Sequence, residues 1–119
     1  MKTDELGRFG EETAAHFLKE QGYRIIQRNF RCRLGEVDLI ACNRDYIVFV
    51  EVKLRKSNRF GYAMEYVTAA KQRRIIKAAS CWLVSNRTSL QPRFDVIEVY
   101  APEGTGGRVS VNHIEDAFQ

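Results

Sequence analysis

The spacing of apolar residues predicts two helices. In residues 4–21 the apolar side chains recur every three to four positions, as on one face of a helix. Thr3 or Asp4 is suited to cap the start of this helix, and Gly22 to follow its end. Residues 68–85 show the same period, with Thr68 as the predicted N-cap.

Runs rich in Val, Ile, Leu and Phe predict five strands, over residues 23–30, 35–42, 46–54, 94–100 and 109–114. The short polar link Asn43-Arg44-Asp45 joins the second and third strands as an antiparallel hairpin. Residues 86–92 are predicted to form a polar loop, and the glycine-rich residues 104–107 a plain turn. The order α-β-β-β-α-β-β favours an α/β domain in which helices pack on a mixed sheet.

Length and composition indicate a single domain over residues 1–119. The chain is 45% hydrophobic, enough for a core without disulfides or a structural metal. Its three cysteines are odd in number and form no C-x-x-C pair, so we expect buried or half-buried free thiols. No secretory signal and no membrane-spanning run is recognised, which favours a cytoplasmic protein without a membrane partner.

The formal net charge of +4 is unevenly distributed. Residues 53–77 hold eight basic residues against Glu65, for a net charge of +7, and residues 19–33 carry +4. Residues 94–119 carry −4. This distribution suggests a polyanionic partner, although charge alone fits an ordinary solvated helix face equally well.

Acidic and basic residues interrupt the two apolar strands of the hairpin. Glu51 and Lys53 lie two positions apart, so they share a face of the strand. If the hairpin turns on Arg44-Asp45, Asp38 opposes Glu51 and Glu36 opposes Lys53. A three-residue turn would instead move Asp38 to the opposite face from Glu51.

Two carboxylates that face each other across neighbouring strands have two explanations. They repel one another unless a cation lies between them, and Mg²⁺ prefers carboxylate oxygens, carbonyls, water and phosphate. A nearby lysine could then orient a water molecule or stabilise charge on a phosphate. The alternative is a Glu36–Lys53 ion pair beside two solvated acids on an exposed sheet face. The spacing does not choose between them.

The motifs resemble a known family. Asp38, followed on the next strand by Glu51-Val52-Lys53, is similar to the D…(D/E)-x-K signature of restriction-endonuclease-like nucleases. The predicted order resembles the α-β-β-β-α-β core of that fold, flanked by helices, with one extra C-terminal strand. The segments 35–40 and 48–55, with Gly7-x-x-x-Glu11, resemble the YraN-like family of bacterial proteins, which is similar to archaeal Holliday junction resolvases.

The resemblance implies a role for each matching residue. Asp38 and Glu51 would be catalytic metal ligands, joined by Glu11 and the Val52 carbonyl around Mg²⁺ or Mn²⁺, and Lys53 would be the catalytic lysine. The register of a hairpin turning on Arg44-Asp45, rather than the resemblance, would place Glu36 beside them. Where the nuclease signature usually has Pro before its Asp, this chain has Val37. Candidates to hold backbone phosphates are the basic residues that follow the signature: Arg55, Lys56, Arg59, Lys71, Arg73, Arg74 and Lys77.

We therefore expect a metal-dependent endonuclease that hydrolyses phosphodiester bonds in DNA, including branched or junction DNA. Because a domain this small covers little DNA, we expect a symmetric homodimer. A nucleic-acid binding module with weak or no catalysis is the alternative, and the basic segment supports it equally. A hydrolase of small phosphoesters fits the acids but not the basic segment.

Overall fold

The computed structural model describes residues 5–56 and 67–119. These described residues form two long helices, five strands and one short 3₁₀ turn at Gly104–Gly106. In chain order the elements are α1 (Glu5–Glu20), β1 (Arg24–Cys32), β2 (Gly35–Cys42), β3 (Tyr46–Arg55), α2 (Ala69–Ser85), β4 (Gln91–Tyr100) and β5 (Ser110–Phe118). Neither described helix is long and apolar enough to cross a bilayer.

The five strands form one mixed sheet in the order β1-β2-β3-β4-β5. β3 and β4 run parallel, and the other neighbours are antiparallel. The parallel pair needs a crossover, which α2 supplies. The α/β class, the element order and the mixed sheet are therefore confirmed.

The hairpin between β2 and β3 has the predicted register. Leu39 pairs with Val50, and the ladder continues to Cys42 and Ile47. Asn43 closes the turn because its side-chain oxygen accepts hydrogen bonds from the Asp45 and Tyr46 amides, at 3.0 and 2.8 Å. The paired register ends at Leu39 and Val50, one residue short of Asp38 and Glu51.

The helices cover opposite faces of the sheet. Alternate residues of β3 contact different helices because successive side chains of a strand point to opposite faces. Val48 and Val50 belong to a core cluster with Leu18 of α1, whereas Phe49 packs with Trp82 of α2. Thr68 caps α2 as predicted, with its hydroxyl oxygen 3.2 Å from the Lys71 amide.

Four strands are longer than predicted, β3 by Arg55 alone, and strand pairing explains the larger extensions of β4 and β5. β4 begins at Gln91, within the predicted loop, because the Gln91 amide donates to the Asp45 carbonyl at 3.0 Å. β5 continues past Ile114 through an irregularity in its pairing with β4, after which Phe118 pairs with Phe94. β1 extends to Cys32 opposite Gly35.

The turn between β1 and β2 lies directly against α2 at Gly35. A Cβ atom at Gly35 would lie 2.5 Å from the Arg74 carbonyl oxygen. We expect Gly35→Ala to lower the free energy of unfolding by about 1–3 kcal/mol, because the backbone of α2 must shift. Urea unfolding measures the loss. Gly106→Ala is the matched control, since its Cβ meets no atom within 4 Å; equal losses in both variants would contradict the close approach.

Candidate metal and nucleic-acid site

Asp38 lies at the point where β2 stops pairing with β3. The ladder ends at Leu39 and Val50. Beyond it, the Val52 amide donates to the Asp38 carboxylate, 2.8 Å from Oδ2, instead of to a carbonyl of β2. The Asp38 side chain therefore occupies the gap between the two strands, and it is only 4% exposed.

Glu51 is the second buried acid, 6% exposed, on the face of β3 that α2 covers. The ammonium of Lys71, in the first turn of α2, lies 2.6 Å from Glu51 Oε2. Burying a carboxylate is costly unless a cation or hydrogen bonds compensate its charge. The alternative explanation, which expected two solvated acids on an exposed sheet face, is therefore wrong because both carboxylates are buried. We call Asp38 and Glu51 the acidic pair.

Lys53 lies on the same face as Glu51 and is half-buried. In the parallel ladder it is the partner of Glu98 on β4. Glu98 also forms an ion pair with Arg55, whose side chain is only 6% exposed. Glu98 was not among the residues predicted from the sequence, although it is a charged residue between Val96 and Tyr100 on one face of an apolar strand.

Glu36 has a different partner from the expected one. Its carboxylate lies 3.1 Å from the guanidinium of Arg31, its neighbour on β1. The pairing of β2 with β3 ends at Leu39. Glu36 therefore has no paired residue on β3, and the register that would oppose it to Lys53 is not realised.

Glu11 is buried in α1, at 7% exposure. Its neighbour Gly10 packs against β3, since a Cβ on Gly10 would lie 3.4 Å from Leu54. A cleft beside this contact joins Gly7 and Gly10 of α1 to Glu51, Lys53 and Lys71. Among residues 5–56 and 67–119, no group of three or more acidic, His or Cys side chains is gathered closely enough to hold a metal.

The acidic pair nevertheless has the chemistry of a Mg²⁺ or Mn²⁺ site. Hard divalent cations prefer carboxylate oxygens, and Mg²⁺ usually keeps several waters while using one or two carboxylates and substrate phosphates. Asp38 and Glu51 would supply the two carboxylates, and the Val52 carbonyl remains a predicted third ligand. The residues present therefore fit a hydrated divalent cation.

Sequence comparison identifies the family. Residues 10–99 match the family model described as uncharacterised protein family UPF0102. The chain belongs to this family. A UPF0102 protein of Symbiobacterium thermophilum is 49% identical over 114 residues, covering 95% of each chain. Another, from Chlorobium phaeobacteroides, is 48% identical over 119 residues, covering 96% of this chain and 94% of that protein. The resemblance to the YraN-like family is thus confirmed.

The basic residues predicted to hold phosphates have different surroundings in this UPF0102 chain. Arg55 is buried against Glu98, whereas Lys71 is half-buried with its ammonium against Glu51. Arg59 lies outside the described residues. The remaining four are exposed: Lys56 after β3, and Arg73, Arg74 and Lys77 on α2.

Replacing Lys71 tests its contact with Glu51. We expect Lys71→Met to lower the free energy of unfolding by about 1–3 kcal/mol, because it removes the ammonium beside a buried carboxylate. Glu51→Gln in the same chain should restore most of the loss. Urea unfolding of the single and double variants measures both effects, with Lys77→Met as the exposed control. Equal stability of Lys71→Met and wild type would contradict the electrostatic role of Lys71.

A second buried polar cluster lies on the opposite face of the sheet. Arg93 donates two hydrogen bonds to Asp95, at 2.9 and 2.8 Å, and a third to the Tyr23 hydroxyl. His113 Nε2 lies 2.7 Å from Asp95 Oδ2, and the Asp116 amide donates to Oδ1. This cluster joins β4 to β5 and to the link between α1 and β1, which indicates a structural role.

Asp95 stays ionised although it is fully buried. Burial alone would raise its pKa, but hydrogen bonds from His113, Arg93 and the Asp116 amide hold the pKa below its usual value. Asp95 in turn raises the pKa of Arg93. The cysteines are free thiols, as predicted, but Cys81 is exposed.

Proposed function

We propose that this UPF0102 chain is a metal-dependent endonuclease that hydrolyses phosphodiester bonds in DNA, including branched DNA. The observation that carries the proposal is the acidic pair, buried on adjacent strands, with Lys53 on the same face as Glu51. We further propose that the domain has a restriction-endonuclease-like fold related to that of Holliday junction resolvases, and that it acts as a homodimer.

Each residue of the site has its own role in the proposed reaction. Asp38 and Glu51 would hold Mg²⁺ or Mn²⁺, with the Val52 carbonyl and Glu11 as the further ligands that the family resemblance implies. A cation held there would supply polarisation of the scissile phosphate and a lowered pKa for a water molecule. The Lys53 ammonium orients the attacking water or balances the charge that develops on the phosphate oxygens.

The reaction is a hydrolysis. The water oxygen forms a new bond to phosphorus, and the bond from phosphorus to the leaving sugar oxygen breaks. The proton released by the water is balanced by the proton that the leaving oxygen takes up. The Asp38 carboxylate is held for this task by the Val52 amide, which fixes one of its oxygens between the strands.

Cleavage assays on linear, nicked and four-way branched DNA test the proposal. We expect products with Mg²⁺ or Mn²⁺ and none with EDTA. A wild-type protein that binds every substrate and cuts none would overturn the enzyme and support the binding module. Sedimentation of the protein alone and with branched DNA tests the homodimer.

A further inference from the structure

The tip of the β1–β2 hairpin and the first half of α2 form a groove that leads to Glu51. Its walls are the turn from Arg31 to Glu36 and the α2 residues Lys71, Arg74 and Ile75. The groove encloses about 460 Å³, within the usual range of ligand clefts. We call it the hairpin groove.

The fold brings together two basic segments that are far apart in sequence. Arg31 and Arg33 belong to residues 19–33, whereas Lys71 and Arg74 belong to residues 53–77. They meet because the hairpin rests on α2 at Gly35, where the Arg74 carbonyl leaves no room for a side chain. The position of this turn is therefore tightly determined.

Four cations and two acids line the hairpin groove, so its net charge is +2. Both acids have basic partners: Glu36 contacts Arg31, and Glu51 contacts Lys71. Arg33 and Arg74 are exposed, and neither forms an ion pair with a carboxylate of residues 5–56 or 67–119. Two guanidinium groups on opposite walls suit successive phosphates of one strand, since each can donate two hydrogen bonds to a phosphate.

Leu34 lies between these walls at the apex of the turn and is 50% exposed. Alone, an exposed leucine needs no explanation. Beside two arginines it offers an apolar surface to the sugar or base next to a bound phosphate. A groove walled on two sides by a turn and a helix suits a single strand better than a paired duplex.

We propose that the hairpin groove binds one single strand of DNA, held at its phosphates by Arg33 and Arg74, and directs it to the acidic pair. This inference rests on the proposed function and narrows its substrate to DNA with an unpaired strand, such as a flap, a fork or an opened junction. Arg33 and Leu34 were not among the candidates from the sequence.

Binding measured without divalent cations tests the groove separately from catalysis. Fluorescence anisotropy in EDTA compares a 20-nucleotide single strand, a forked duplex and a blunt duplex. We expect wild type to prefer the first two to the blunt duplex. The double variant Arg33→Gln/Arg74→Gln should weaken their binding at least 10-fold and lower the salt dependence by about 1.4 log units per log unit of salt. Each single variant should give part of the loss.

The matched control is Arg44→Gln/Arg87→Gln, which removes the same charge from exposed positions outside the groove. It should change binding less than 2-fold. Equal weakening by both double variants, or equal binding of blunt duplex and single strand by wild type, would overturn the inference. Selective binding without any cleavage would overturn only the nuclease. Asp38-dependent cleavage that the groove variants leave unchanged would overturn only the groove.

Discussion

Asp38→Asn is expected to lower cation-dependent DNA cleavage by about 100- to 1,000-fold. The substitution keeps the size of the side chain and an oxygen that can accept the Val52 amide, but it removes the negative charge that would hold the cation. Lys53→Ala is expected to have an effect of similar size, because the group that orients water or stabilises charge is lost. Initial rates on the best-cut DNA substrate measure both losses.

Two further measurements separate chemistry from folding. Glu115→Gln removes an exposed carboxylate outside the site and should cut as wild type does. Mg²⁺ or Mn²⁺ should raise the Tm of wild type, by mass action, and raise that of Asp38→Asn much less. If Asp38→Asn and Lys53→Ala cut as fast as wild type, the acidic pair is not the active site.

Asp95→Asn is expected to cause the largest loss of stability, about 3–5 kcal/mol at pH 7. The variant leaves the Arg93 guanidinium, only 8% exposed, without the carboxylate that forms two hydrogen bonds with it. A double variant, Arg93→Met/Asp95→Asn, should recover part of the loss because the buried charge is gone. Denaturant unfolding at pH 7 gives the values, and Asp116→Asn serves as an exposed control.

The same carboxylate predicts how stability depends on pH. The folded state holds the pKa of Asp95 below its ordinary value of 3.8. The stabilisation is therefore complete above the unfolded pKa and is lost as pH falls through the lower, folded pKa. The difference in unfolding free energy between wild type and Asp95→Asn should thus shrink below about pH 4. A difference that stays constant down to pH 2 would contradict this linkage.

The local pattern predicted the secondary structure well and the long-range contacts poorly. β2 has the predicted bounds, and the turn at Asn43 set the predicted register from Cys42–Ile47 to Leu39–Val50. The prediction that opposed Glu36 to Lys53 extended this register beyond the last paired residues. The hydrophobic periodicity of a strand cannot show where two strands separate. The separation here depends on the Val52 amide donating to the Asp38 side chain.

The sequence by itself determined the element order, the shared face of Glu51 and Lys53, the uneven charge and the family motifs. These features depend on the repeat of a strand or helix and on residues near one another in the chain. Only the tertiary structure decided that Asp38 and Glu51 are buried, that Lys71 contacts Glu51, and that Arg33 and Arg74 line one groove. Those contacts depend on how α2 packs across the sheet, because the partners lie 20 or more residues apart and meet only when the core forms.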